Sequence, residues 1–139
     1  MFEVTLDTNV LVSAFRSSLG ASYRLLQTLE GGQWRPAMSP TLAFEYEMVL
    51  KRGTGPTWPT ASEIDDFIEY LCSRSKLVQV YFRWRPVLRD ADDDRILEVA
   101  VRAQTPVVTF NRRDFAGAEH FGVKVMSPKQ LLIAIGDQQ

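Results

Sequence analysis

The stretch DADDDRILEVA, residues 90–100, places four carboxylates within five positions, directly before a run with helical spacing. Acids in the first turn of a helix complement the helix dipole, and each contributes about 0.3–1 kcal/mol. That effect explains one or two acids but not four, because like charges at this density repel one another. A hard divalent cation such as Mg²⁺ or Mn²⁺ takes oxygen ligands and cancels the repulsion. The stretch therefore indicates a metal site supplied by some of Asp90, Asp92, Asp93 and Asp94.

Further acidic and amide side chains come after segments that are predicted to be strands or helices. Asp7 follows the apolar run FEVTL, and Asn111 and Asp114 follow the run PVVT. Glu45 lies in a predicted helix, where Glu47 is an equal candidate by residue type. Each has an ordinary explanation as a turn residue, a solvated helix residue or the partner of a neighbouring arginine. Only their order and spacing together favour a shared function.

Composition limits the class of protein. The chain has 139 residues, of which 45% are hydrophobic and 24% charged, and its formal net charge is −1. These values are typical of one globular domain spanning residues 1–139. The single cysteine, the absence of a secretory leader and the lack of a long apolar run predict a cytoplasmic protein. One histidine, His120, leaves little for a Ser-His-Asp triad or a histidine-rich zinc site.

Strands alternate with helices along the chain, which predicts an α/β fold with a mainly parallel sheet. The predicted strands are FEVTLD, WRPAMS, KLVQVYF, PVVT and VKVMS. The predicted helices run from about Val10 with a break at SLGAS to Gly31, from Pro40 to about Arg52, from the capping box at Thr60 to about Ser75, from Asp92 to Ala103, and from Pro128 to Ile135. In such sheets, sites form outside the carboxyl ends of strands, and all the acidic regions can meet there.

Four sequence blocks together resemble the PIN-domain ribonucleases, and more narrowly the VapC-like toxins of toxin–antitoxin pairs. The blocks are VTLDTNVLVSA, SPTLAFEYEMVLKR, RDADDDRILEVA and VVTFNRRDF, and they cover nearly the whole chain. The resemblance implies a three-layer α/β/α fold with a mainly parallel central sheet of about five strands. It also implies a Mg²⁺- or Mn²⁺-dependent endonuclease that hydrolyses single-stranded RNA.

The resemblance also implies which residues form the site. Metal and catalytic roles fall on Asp7, Glu45 and the third block. There, helical phase favours Asp94, the spacing of the family motif favours Asp93, and Asp90 is a supporting ligand. Many members carry Asp where this chain has Asn111, and Asp114 is expected to compensate, also as a catalytic residue. The residues expected to bind the substrate are Asn9, Thr109, Arg112 and Arg113.

Partners follow from the same resemblance: an RNA substrate, a cognate antitoxin and a second copy of the chain, with no membrane. Lys51, Arg52, Arg83 and Arg85 are further candidates for guiding the RNA backbone. The early helical leucines Leu25, Leu26 and Leu29 and the tryptophans Trp34, Trp58 and Trp84 are expected to serve packing rather than binding. Two alternatives stay open. One is a non-catalytic PIN-like module that binds RNA or protein, and the other is an RNA-processing nuclease without an antitoxin.

Overall fold

The computed structural model describes residues 1–80 and 91–137, with the side chains of Ala91 and Asp92 left aside. Several predicted features lie outside these residues. They are the supporting acid Asp90, the candidate cations Arg83 and Arg85, the ring of Trp84, and the last two positions of the predicted third strand.

Within residues 1–80 and 91–137, five parallel strands form the central sheet, in the order β3-β2-β1-β4-β5. This arrangement confirms the predicted fold class. The strands are β1 (Phe2–Leu6), β2 (Trp34–Met38), β3 (Lys76–Leu77), β4 (Val107–Val108) and β5 (Val125–Met126). The predicted strands were longer, because a run of β-forming residues does not show how much of it finds a partner.

In the described residues, six α-helices connect and cover the strands. They are α1 (Thr8–Arg16), α2 (Ala21–Gln27), α3 (Pro40–Lys51), α4 (Ala61–Ser73), α5 (Ala91–Ala103) and α6 (Pro128–Ala134). The part of the chain that the structure describes also has three short 3₁₀ helices, which the sequence pattern did not predict: Thr28–Gly31, Arg112–Phe115 and Ala118–Phe121. No helix in the described residues is both long and apolar enough to cross a lipid bilayer.

The direction of the crossovers separates the helices into two layers. The chain moves from β1 to β2 to β3 in one direction across the sheet, then returns past β1 to β4. Because such connections are right-handed, α1–α4 lie on one face and α5 lies on the other. The helix α5 packs against β1, β2 and β4, while α1 packs against α3 on the opposite face.

Three helices begin at the capping residues that the sequence predicts. The Ser39 hydroxyl accepts from the Leu42 N–H, ahead of Pro40 at the first helical position of α3. Thr60 and Glu63 form a reciprocal capping box at α4. Ser127 opens α6 in the same way. These caps satisfy backbone donors that have no partner within the helix, and they fix where each helix starts.

Large side chains from both layers fill the core around the sheet. Trp34, Tyr46 and Phe115 are among the largest fully buried residues. Leu25 and Leu29 belong to the same cluster, which confirms that their role is packing, and Leu26 packs against it partly buried. Burying each such side chain stabilises the fold by about 1.5–3 kcal/mol.

One glycine is required for the packing between α3 and α4. The Trp58 indole lies directly on Gly53, where an added Cβ would be 2.0 Å from ring atom Cε2. The indole N–H donates to the Leu50 carbonyl at 2.8 Å, and the ring meets Phe15 edge-on. The ring is therefore held from several sides and cannot simply rotate away.

We expect Gly53→Ala to destabilise the fold by about 1–3 kcal/mol, since it overpacks this contact. The measurement is the midpoint of urea unfolding. The matched control is Gly31→Ala, because a Cβ there meets no atom within 4 Å. Equal midpoints for the two variants would contradict the described contact.

Candidate functional site

The candidate site lies at the carboxyl edge of the sheet, between β1 and β4. These strands are neighbours, yet the chain leaves them in opposite directions, toward β2 and toward β5. Such a switch point leaves a crevice between the connections, and ligands of parallel α/β sheets bind in such crevices. Asp7 directly follows β1, and Thr109 directly follows β4.

A hydrogen bond joins the ends of these two strands. The Thr109 hydroxyl donates to Asp7 Oδ2 at 2.6 Å. The hydroxyl oxygen of Thr109 in turn accepts from the Asn111 backbone N–H at 2.9 Å and, more weakly, from Asn9 Nδ2 at 3.5 Å. The hydroxyl therefore uses its donor and both acceptor positions inside the protein. This geometry favours a role for Thr109 in positioning Asp7, and its predicted contact with substrate stays a prediction.

Asp7 is a buried carboxylate, with 5% of its surface exposed. Burial is the main cause that raises its pKa, and the nearby negative charge of Asp114 adds to the effect. The hydrogen bonds from Thr109 and from the backbone N–H groups of Asn9 and Thr8 act in the opposite direction. The charged form is thus opposed by its surroundings, and a cation at the site would favour it.

Three of the predicted acids border one cavity of about 250 Å³, which we call the acid cavity. Asp7 comes from the end of β1, Glu45 from the middle of α3, and Asp93 from the first turn of α5. The remaining lining residues are Thr8, Asn9, Val12, Val49 and Ile96. Acids that are far apart in the sequence therefore meet at one edge of the sheet, as expected for the site.

The structure separates candidates that the sequence left equal. Glu45 lines the acid cavity, whereas Glu47 faces Lys51 at 3.8 Å. Asp93 and Asp94 are both nearly buried, at 8% and 7% exposed, but only Asp93 is among the described lining residues. Helical phase had favoured Asp94, and the position of the cavity favours Asp93.

Glu45 is paired with a cation from the chain itself. Its Oε2 accepts from Arg95 Nη1 at 2.8 Å, and the glutamate side chain is far more buried than the arginine. Arg95 follows the acidic block directly in the sequence, and its contact with Glu45 places it beside the acid cavity. Sequence reasoning missed this residue, because an arginine after several acids is also typical of a solvated helix surface.

Among the described residues, none after β4 lines the acid cavity. Asn111 is exposed, its backbone N–H donates to the Thr109 hydroxyl, and its backbone carbonyl accepts from the Asp114 N–H. Asp114 is half-buried in the following 3₁₀ helix and acts on Asp7 through its charge. Arg112 and Arg113 are exposed, and Arg112 donates to the Gln130 side chain. The predicted fourth block is thus near Asp7, but a ligand role for Asn111 stays a prediction.

The donor set fits a hard divalent cation, although its side chains are not yet gathered around one point. Carboxylate oxygens at a buried position are the ligands that Mg²⁺ and Mn²⁺ prefer. Within residues 1–80 and 91–137, no three His, Cys, Asp or Glu side chains lie close enough together to hold an ion as they stand. The Glu45–Arg95 pair contributes to this separation, because it directs one carboxylate toward the guanidinium.

We expect Asp7→Asn to raise the melting temperature at pH 7 in EDTA. The pKa of Asp7 is raised in the folded state, so its contribution to stability is complete below its ordinary value of 3.8 and is lost as pH rises through the folded pKa. Asparagine keeps the acceptor for Thr109 without the buried charge. The increase in melting temperature should therefore become smaller as the pH falls toward 3.8.

The measurement is thermal unfolding from pH 3.5 to 8, with Asp66→Asn on the exposed surface of α4 as the matched control. A variant of Asp7 that is less stable than the native chain at pH 7 would show that burial does not oppose the charge.

Comparisons with known proteins concern the fold and the family of the chain. The search of curated proteins finds no match. Two solved structures share the fold at low identity. One is a chain from the structure of VapBC2 from Rickettsia felis, which was solved with a DNA fragment from the VapBC2 promoter. It has 14% identity to this chain and a TM-score of 0.62, and the match covers 91% of this chain and 98% of that one. A PilT N-terminus domain protein from Sulfolobus solfataricus has 16% identity and a TM-score of 0.59, covering 100% and 97%.

The family model described as PIN domain matches residues 3–113, which include β1 with Asp7, the helices that carry Glu45 and Asp93, and the end of β4. By this match, the chain belongs to the PIN domain family.

Proposed function

We propose that this chain is a divalent-metal-dependent endoribonuclease that hydrolyses phosphodiester bonds of single-stranded RNA. The observation that carries the proposal is the acid cavity, where Asp7, Glu45 and Asp93 come together from three separate elements. Membership of the PIN domain family supports it, since PIN domains are generally nucleases. We further propose that the active unit is one domain, residues 1–139, in the cytoplasm.

Asp7, Glu45 and Asp93 are the residues that would hold Mg²⁺ or Mn²⁺, with Asp94, Asp114, Asn111 and Asp90 as further candidates. Such an ion supplies a Lewis acid for attack of water on a phosphodiester. The protein contributes the position of Asp7, which the Thr109 hydroxyl holds against β4. It also contributes partial exclusion of water, because Asp7 and Asp93 are nearly buried. His120, the only histidine in the sequence, is exposed and is not needed as a base.

A polyanionic substrate also needs positive charge near an acidic pocket. Arg112 and Arg113 lie exposed on the turn after β4, beside Asp7, and they are suited to bind the RNA backbone. Asn9 borders the acid cavity and is proposed to contact the substrate there. Lys51 is a weaker candidate than the sequence indicated, because its ammonium is already paired with Asp65 at 2.6 Å.

We also propose that the chain is the toxin of a toxin–antitoxin pair and forms a homodimer. The fold neighbour from a complex named VapBC2 supports an antitoxin partner. An apolar surface supports a protein contact, since Phe44 and Met48 are exposed one turn apart on α3, the helix that carries Glu45. A partner that binds there would lie next to the acid cavity.

The second candidate function is a PIN-like module that binds RNA or protein without catalysis. Two observations favour it: Glu45 is paired with Arg95, and an exposed asparagine stands at position 111, where the resemblance leads one to expect an acid. The nuclease proposal accounts for more of the structure, because a buried carboxylate with a raised pKa, such as Asp7, is typical of catalytic sites. A module that only binds RNA or protein does not need such a group.

We expect the native chain to cleave single-stranded oligoribonucleotides in Mn²⁺ or Mg²⁺, with EDTA stopping the reaction. Asp7→Asn and Asp93→Asn should each lower the cleavage rate by about 100-fold or more, because each removes charge that stabilises the reacting centre. The measurement is the initial rate on end-labelled RNA.

The control for this experiment is Asp66→Asn, which removes an exposed acid from α4 and should cleave at the native rate. Equal rates for all variants would end the nuclease proposal, and cleavage that persists in EDTA would end its metal dependence. A search for a short adjacent reading frame would distinguish a toxin from an RNA-processing nuclease.

We expect Arg95→Ala to bind Mn²⁺ more tightly than the native chain, because the guanidinium competes with the ion for Glu45. An exposed ion pair is worth about 0.2–1 kcal/mol, which corresponds to a gain of roughly 1.4- to 5-fold in affinity. The measurement is isothermal titration calorimetry. Arg102→Ala is the matched control, since it removes the same charge from the far end of α5. Affinities that match for the two variants would contradict a competing role of Arg95.

A further inference from the structure

A second cavity continues from the acid cavity along the surface between α1 and α3. Its volume is about 410 Å³, and the side chains of Val12 and Val49 line both cavities. Beyond these valines, the walls are formed by the ends of α1 and α3 and by the loop that follows α3. We call this second cavity the cationic groove, because it ends between Arg16 and Arg52.

The two connected cavities carry opposite charge. The acid cavity is lined by three carboxylates and no cation, whereas the cationic groove is lined by two guanidinium groups and no carboxylate, among the described residues. Arg16 and Arg52 are exposed, and neither is paired with an acid in the part of the chain that the structure describes. Two threonines, Thr54 and Thr57, add hydroxyl groups to the same walls.

The aromatic wall of the groove is fixed in place. The Trp58 indole packs on Gly53, and its N–H donates to the Leu50 carbonyl. The ring nitrogen is thereby satisfied inside the protein, and the half-buried ring presents an apolar surface to the groove. A rigid aromatic surface beside free cations suits a nucleic acid strand, whose bases stack while its phosphates pair with arginine.

The helix geometry gives the distance between the two charged regions. Arg16 follows Asp7 by nine residues along α1, which corresponds to a rise of roughly 13 Å. Arg52 follows Glu45 by seven residues along α3, a rise of roughly 10 Å. The cations are therefore too far away to contact the phosphodiester at Asp7, and they are placed to contact phosphates further along the same strand.

We propose that the cationic groove binds the backbone of the single-stranded RNA on one side of the cleaved bond, with Arg16 and Arg52 contacting its phosphates. The inference rests on the proposed nuclease function and deepens it. Arg112 and Arg113 lie in the turn after β4, and in the sheet β4 is the neighbour of β1 on the side opposite β2, the strand that leads into α3. The RNA strand thus crosses the acid cavity from one cationic region to the other.

Binding of a fluorescein-labelled 12-nucleotide RNA to the Asp7→Asn chain tests this proposal, because that variant is expected to cleave the probe about 100-fold more slowly than the native chain or slower still. Fluorescence anisotropy is measured over a series of KCl concentrations. Arg16→Ala and Arg52→Ala should each weaken binding about fivefold at 0.1 M salt, and each should reduce the slope of log K against log salt by about 0.7. The corresponding lysine variants keep the charge and should retain most of the slope.

The matched control is Arg74→Ala, an exposed arginine at the amino edge of the sheet, just before β3. It should bind RNA as the parent chain does. If the groove variants bind RNA with the affinity and salt slope of this control, the proposal is overturned and a protein segment becomes the occupant to consider. Because binding is measured without cleavage, that result would leave the nuclease function standing, whereas absence of cleavage by the native chain would not affect this test.

Discussion

The site depends on one buried carboxylate that is held between two strand ends. Asp7 closes β1, and the Thr109 hydroxyl after β4 donates to it at 2.6 Å, across the switch point of the sheet. Burial opposes the charge on Asp7, and the nearby Asp114 opposes it further. A fold keeps such a group only if something favours the charged form, and an ion among carboxylates is the simplest candidate. The other acids are candidate site residues because of their position around Asp7.

Charge changes sign over a short distance along this surface. Glu45 and Asp93 join Asp7 at the acid cavity, while cations lie outside it in three places: Arg95 on Glu45, the arginines after β4, and the pair in the cationic groove. This distribution explains how a chain with a formal net charge of −1 can handle a polyanion. The required positive charge is local, so the total charge of the chain says little about its substrate.

Sequence patterns predicted most of the fold, and the three acids that border the acid cavity were among the candidate site residues. The helix starts at Ser39, Thr60 and Ser127 were readable because capping is local chemistry between residues three positions apart. Asp7 and the acidic block were predicted to meet because parallel strands bring their carboxyl ends to one edge of the sheet. Glu45 lies inside a helix, and only the family resemblance selected it.

The sequence did not decide which of two neighbouring acids belongs to the site. Glu45 against Glu47, and Asp93 against Asp94, depend on the rotation of each helix about its axis, which packing decides. The same holds for Arg95, whose pairing with Glu45 joins residues 50 positions apart. The central claim is that a divalent ion binds between the three acids that border the acid cavity. Anomalous diffraction from a crystal soaked in Mn²⁺ measures this directly: the account predicts a peak bordered by Asp7, Glu45 and Asp93, and an acid cavity without a peak at saturating Mn²⁺ would contradict it.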